Sequence, residues 1–175
     1  SVLLQDKRAT LIASSGTASS GVERSELGIS LVGASWRGLP AADGRQEGVS
    51  NYLVGNDPAA WHAEIANFSR VSYANVYPGI NLVFYGNHRK LEHDFQVGAG
   101  VDYRQIRVRL DGSKSLTVQA DGGLQVETST GSFHFEAPEV YQDKGADRIA
   151  VKGRYAVVAR NEFTFRLGKY DRSLP

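Results

Sequence analysis

Apolar side chains recur at every second position along nearly the whole chain, and turn residues interrupt them about every eight to twelve positions. A repeat of two is the repeat of an extended strand, whose side chains point alternately to opposite faces of a sheet. Helical periodicity is nearly missing. The pattern therefore predicts an all-β fold, an antiparallel β-sandwich of roughly twelve strands with one or two short helical turns, and a closed eight-stranded barrel as the alternative. The alternation is clearest over 30–34, 71–76, 80–85, 91–97, 106–110, 124–128, 132–136, 154–159 and 162–167.

Between these runs stand Asp43-Gly44, Gly86-Asn87, Asp111-Gly112, Asp121-Gly122-Gly123, Gly131 and Lys144-Gly145, which can supply the positive φ of a tight turn. Residues 14–21, all Ser, Gly, Thr and Ala, read as a flexible loop, and 38–48, with Pro40, Asp43-Gly44 and Gly48, as a second long loop. Asp57-Pro58-Ala59-Ala60 puts an N-cap before a proline at the first helical position, and Asp102-Tyr103-Arg104-Gln105 resembles it; both read as helical corners between strands. In 80–85 both faces are apolar, as expected of a strand inside its sheet, and Gly86-Asn87-His88-Arg89 joins it to 91–97 as an antiparallel hairpin. Lys90, Lys114 and Lys152 are placed to blunt sheet edges.

With 175 residues, the chain is long enough for one substantial core, and residues 1–175 are expected to form a single β-sandwich domain, a fragment of a longer multidomain protein. Twenty Lys and Arg stand against 19 Asp and Glu without a basic run, which argues against nucleic acid as a partner. Arg104, Arg107 and Arg109 come nearest to a stripe and read as a solvated face. No apolar run reaches the roughly 18 residues of a membrane-spanning helix, so the chain is expected not to span a membrane. Without cysteine there is neither a disulfide framework nor thiolate chemistry.

Candidate chemistry is sparse. Glu92 and Asp94 share one strand face, and their spacing separates the side-chain origins by roughly 7 Å, near the range of inverting glycosidases. An outward polar face of a half-buried strand is the stronger reading, because nothing in the sequence signals a raised carboxyl pKa. His62, His88, His93 and His134 fall in no ligand spacing such as His-Glu-x-x-His, and His93 lies on the apolar stripe, as a core histidine does. No metal site and no cofactor are expected. Among the aromatic residues Trp36 and Trp61 flank loops and are the candidates for stacking on a sugar ring.

A series of landmarks carries a resemblance: Asn51-Tyr52, Gly55-Asn56-Asp57-Pro58 and Trp61; Val76-Tyr77-Pro78-Gly79-Ile80-Asn81 running on to Asn87; and Leu91-Glu92-His93-Asp94-Phe95. Pro138, Tyr141-Gln142 and Tyr170-Asp171-Arg172 follow. Together they resemble the domain of unknown function found N-terminal to SBBP-type β-propeller repeats in secreted bacterial proteins. His93 departs from the pattern, standing where the resemblance implies an aromatic such as Tyr. The resemblance brings no activity to any residue; it implies an extracytoplasmic, secreted or cell-surface setting and downstream β-propeller repeats of the same parent chain as partner. The expectation is thus a non-catalytic accessory or interaction module. The alternatives are a carbohydrate-binding module, with a glycan or another surface protein as partner, and a glycoside-processing enzyme using Glu92 and Asp94.

Overall fold

The computed structural model describes residues 2–5, 8–15, 23–35, 40–52, 61–87 and 90–175. Trp36, the 57–60 turn, residues 16–21 of the first loop, and His88-Arg89 lie outside the described residues. The described residues form fifteen strands: β1 (Val2–Gln5), β2 (Arg8–Ser15), β3 (Glu23–Leu31), β4 (Ala41–Tyr52), β5 (His62–Tyr77), β6 (Ile80–Asn87), β7 (Lys90–Val97), β8 (Val108–Asp111), β9 (Ser115–Val118), β10 (Leu124–Glu127), β11 (Ser132–Phe135), β12 (Val140–Lys144), β13 (Asp147–Val151), β14 (Gly153–Ala159) and β15 (Glu162–Leu167). They make a six-stranded sheet in the order β1-β2-β3-β8-β15-β14, a four-stranded sheet β4-β5-β6-β7, a three-stranded sheet β11-β10-β9 and the hairpin β12-β13. Neighbouring strands run antiparallel throughout, and among the described residues no sheet closes into a barrel.

One buried cluster joins the larger sheets, as in a sandwich. Leu27, Ile29 and Leu31 on β3, Val108 and Leu110 on β8 and Phe163 on β15 meet Tyr73, Ile80, Leu82 and Phe84 from the four-stranded sheet and Leu124 and Val126 from β10. Alternation explains the membership: Val108 and Leu110 are buried while Arg109 between them is exposed. The rings of Phe95 on β7 and Phe165 on β15, 6.0 Å apart, also bridge the layers. Tyr77 adds a polar tie. Its buried hydroxyl lies 3.0 Å from the Val32 carbonyl and 3.1 Å from that of Arg107, and accepts the Arg107 N–H at 3.3 Å. Burial raises its phenol above the ordinary value.

The strand β6 is interior to its sheet and buried on both faces, Ile80, Leu82 and Phe84 on one and Val83 on the other. Pro78-Gly79 turns the chain from β5 into it. Gly79 has φ +74, and a β-carbon there would stand 2.6 Å from Val101 Cγ2, so the turn takes glycine on two counts. The 3-10 turn Tyr103–Gln105 forms where the helical corner was expected, with the Asp102 carboxylate accepting the Arg104 N–H at 3.1 Å.

Two readings need correction. The stretch 38–48 is not a loop over its described part: Ala41–Tyr52 is a strand that pairs with β5. It carries no apolar alternation because residues 41–49 are all exposed, so the ladder is written in backbone hydrogen bonds and not in side chains. The strand expected over 30–34 ends at Leu31, where Gly33 adopts φ +75 and turns the chain. The three expected edge lysines do fall at edges: Lys90 opens β7, Lys114 precedes β9 and Lys152 precedes β14.

Candidate functional site

Glu92 and Asp94 lie on the outer face of the four-stranded sheet, opposite Tyr85 and Val83 of β6. The Tyr85 hydroxyl donates to Asp94 Oδ1 at 3.1 Å, and the Glu92 carboxylate acts on the same hydroxyl. Burial and these two acids together hold the Tyr85 phenol far above its ordinary range, so it stays a donor at any physiological pH. The pair of carboxylates is thus engaged by a tyrosine of the adjacent strand. His93, on the opposite face, packs against Phe84 and Phe95 with ring centroids 6.0 and 5.9 Å away. Burial pushes its imidazole below the ordinary value, against the raising influence of Asp94.

Trp61, at the mouth of β5, is 41% exposed. It lies nine residues along the chain from Arg70, the partner of Tyr85, which places it on the order of 25–30 Å from the carboxylates. The described candidates therefore do not converge. A shallow hollow of about 550 Å³ is lined by Gln119, Asp121, Gln125 and His134, and another of about 450 Å³ by residues including Gln142, Lys144, Tyr170 and Asp171. Neither includes Trp61, Glu92 or Asp94. Among the described residues no three His, Asp or Glu side chains are grouped to hold a metal ion.

Two other surfaces stand out. The first is the outer part of the β4–β5 hairpin. The strand β6 pairs with β5 only between Arg70 and Tyr77, whereas β4 pairs with β5 from Ser72 out to His62. Beyond Arg70 the two strands therefore run on as a ribbon that pairs with no third strand among the described residues. Val49, Ile65 and Phe68 on this ribbon, and Trp61 at its end, are between 37 and 51% exposed. Several of the large apolar side chains that are exposed among the described residues thus fall on or beside this ribbon.

The second is the outer face of the six-stranded sheet. Glu162, directly opposite Arg109, is only 6% exposed and accepts from two arginines. Arg109 Nε and Nη2 reach Oε1 at 2.9 and 2.7 Å, and Arg107 Nη2 binds Oε2. The Arg109 hydrogen bonds first, then those of Arg107, hold the Glu162 carboxyl below its ordinary value despite burial. The reading of Arg104, Arg107 and Arg109 as one solvated stripe is thus corrected. Arg104 alone is mainly solvated, with its side chain 77% exposed, 4.0 Å from Asp102. The spacing of Arg107 and Arg109 already put both on one face, but Glu162 is more than fifty residues away in the chain and no local pattern points to it.

The landmarks behind the resemblance turn out to do structural work. Gln142 is buried on β12, donating to the Asp171 and Leu174 carbonyls at 2.7 and 3.2 Å and accepting the Asp171 N–H at 2.8 Å, so Tyr141-Gln142 and Tyr170-Asp171-Arg172 are two halves of one contact. The Asn81 side chain accepts the N–H of Asn75, whose φ is +50 at the irregularity in β5.

Open antiparallel sheets around one shared core, a locked C-terminal segment and an apolar ribbon define a sandwich-like all-β domain. Within that class the chain belongs to a particular family: residues 3–175 match the family described as Domain of unknown function (DUF7948). No curated protein and no solved structure matches it.

Proposed function

We propose that this domain is a non-catalytic interaction module of a secreted or cell-surface bacterial protein, and that it packs against or presents the β-propeller repeats of its parent chain. The observation that carries the reading is the β4–β5 ribbon, whose Val49, Ile65 and Phe68 are more than a third exposed on strands that pair with no third strand among the described residues. Isolated two-stranded ribbons gain little stability from their own side chains, so a sequence that keeps apolar residues there gains most when a second surface covers them. The resemblance to domains that precede SBBP-type repeats names the occupant: a propeller of the same polypeptide, tethered nearby at high effective concentration.

A photo-crosslinking residue placed at Phe68, and separately at Ile65, in the full parent polypeptide tests this. Crosslinked peptides from the propeller repeats are expected. Solution scattering that shows the two parts moving as independent beads, with no such crosslinks, would overturn it.

A further inference from the structure

Among the described side chains, the outer face of β8, β15 and β14 carries Arg107, Arg109, Arg154 and Arg166 against the acids Glu162 and Asp111, and the excess of positive charge is ordered. Register puts Arg154 of β14 directly opposite Arg166 of β15, two like charges on one cross-strand site, which is a destabilising pairing in the absence of a counter-charge. Both side chains are exposed, and among the described residues neither has an ion pair or hydrogen bond. On the same face Thr164 follows Glu162 and precedes Arg166, while Phe163 and Phe165 point to the core. Arg107 and Arg109 stand on the strand side next to Glu162. The two outermost arginines lie four residues along β15 from Glu162, roughly 13 Å, so the four guanidiniums form a track and not a point.

Glu162 decides how the first two arginines behave. Its buried carboxylate takes two N–H groups of Arg109 and one of Arg107, fixing both guanidiniums while leaving them about half exposed. Each keeps N–H donors free in a rigid fork, which suits planar oxyanions and loses little rotamer freedom on binding. Asp111 shares this face two residues beyond Arg109 on β8, on the side away from Arg166, opposite Gly28 and accepting from Ser30 at 3.3 Å, and Glu26 lies further in the same direction. Charge along the face is therefore polarised.

We propose that this face is a binding site for a linear, carboxylate-bearing polysaccharide, gripped by Arg107, Arg109, Arg154 and Arg166. An acidic peptide lying across β8 and β15 fits less well: both are interior strands whose backbone donors and acceptors are already paired, and of β8, β15 and β14 only β14, the edge strand that carries Arg154, has one side of its backbone without a paired strand among the described residues. A ligand whose recognition resides in regularly repeated carboxylates needs only the side chains. The site is independent of the β4–β5 ribbon, and its arginines can be changed without touching that ribbon.

The test is titration calorimetry of the 175-residue chain with polygalacturonate, its fully methyl-esterified form and poly-L-glutamate, at low ionic strength. Polygalacturonate is expected to bind and to weaken with added salt, and the uncharged ester to be silent. Arg154→Gln with Arg166→Gln removes the opposed charges and should fold at least as well as the parent, while lowering affinity by about tenfold or more. Arg154→Lys with Arg166→Lys keeps the charge but loses the fork, and is expected to fall between the two. Undiminished binding by the Gln variant, binding of the ester, or equal affinity for poly-L-glutamate would each overturn the proposal.

Discussion

The strand β5 passes through two environments. Its second half, from Tyr73 on paired with β6, buries Tyr73, Val76 and Tyr77 almost completely, whereas its first half, paired among the described residues with β4 alone, leaves Ile65 and Phe68 more than a third exposed. The residue types are alike on both sides of Arg70. What differs is the six-stranded sheet, whose core residues cover the second half and not the first. Burial is thus a property of the layer that covers a strand.

The largest difference should come from truncating either side of that divide. Ile80→Ala, at the centre of the cluster, is expected to cost about 2–5 kcal/mol in denaturant unfolding, because the removed atoms leave a cavity that three sheets cannot collapse into. Next comes the polar tie between layers. Tyr77→Phe leaves the part-buried Arg107 N–H without its acceptor and is expected to cost about 1–2 kcal/mol, read in the same experiment.

Acid titration separates the core from the outer face. His93 has a folded pKa below its ordinary value of 6.5, so the unfolded chain takes up the proton first and stability falls as pH drops from about 6.5. Glu162, with a folded pKa below the ordinary 4.5, stabilises the fold above that value and loses its contribution only as pH falls further. Stability measured against pH should therefore decline in two stages. His93→Phe is expected to flatten the upper stage and Glu162→Gln the lower; a single unchanged transition in both variants would refute the assignment. The smallest effect belongs to the ribbon. Ile65→Ser or Phe68→Ser should change the stability of the isolated chain by no more than about 0.5 kcal/mol. In the parent polypeptide the same changes should weaken docking, as loss of the crosslink at the remaining position. A large loss of stability in the isolated chain would mean that the ribbon packs on its own domain.

The comparison also explains which elements could be read in advance. The alternation of Val108, Arg109 and Leu110 and the two-faced apolar run of β6 placed both strands correctly, because each is covered by the core and must match it. The polar strand β4 escaped notice for the opposite reason, since water faces its side chains on both sides. Glu92 and Asp94 were placed on one face correctly by their spacing, but the Tyr85 hydroxyl that engages them comes from the neighbouring strand.

Period and turn chemistry, both local properties of the chain, sufficed for an all-β sandwich with its hairpin of β6 and β7 and its 3-10 corner at Tyr103–Gln105. Sheet order, the pinning of Arg107 and Arg109 by Glu162, the lock of Gln142 on Asp171 and the uncovered reach of the β4–β5 ribbon arose only from folding in three dimensions. Each joins segments far apart in sequence, and long-range pairing depends on which faces meet, a quantity that no window of neighbouring residues contains.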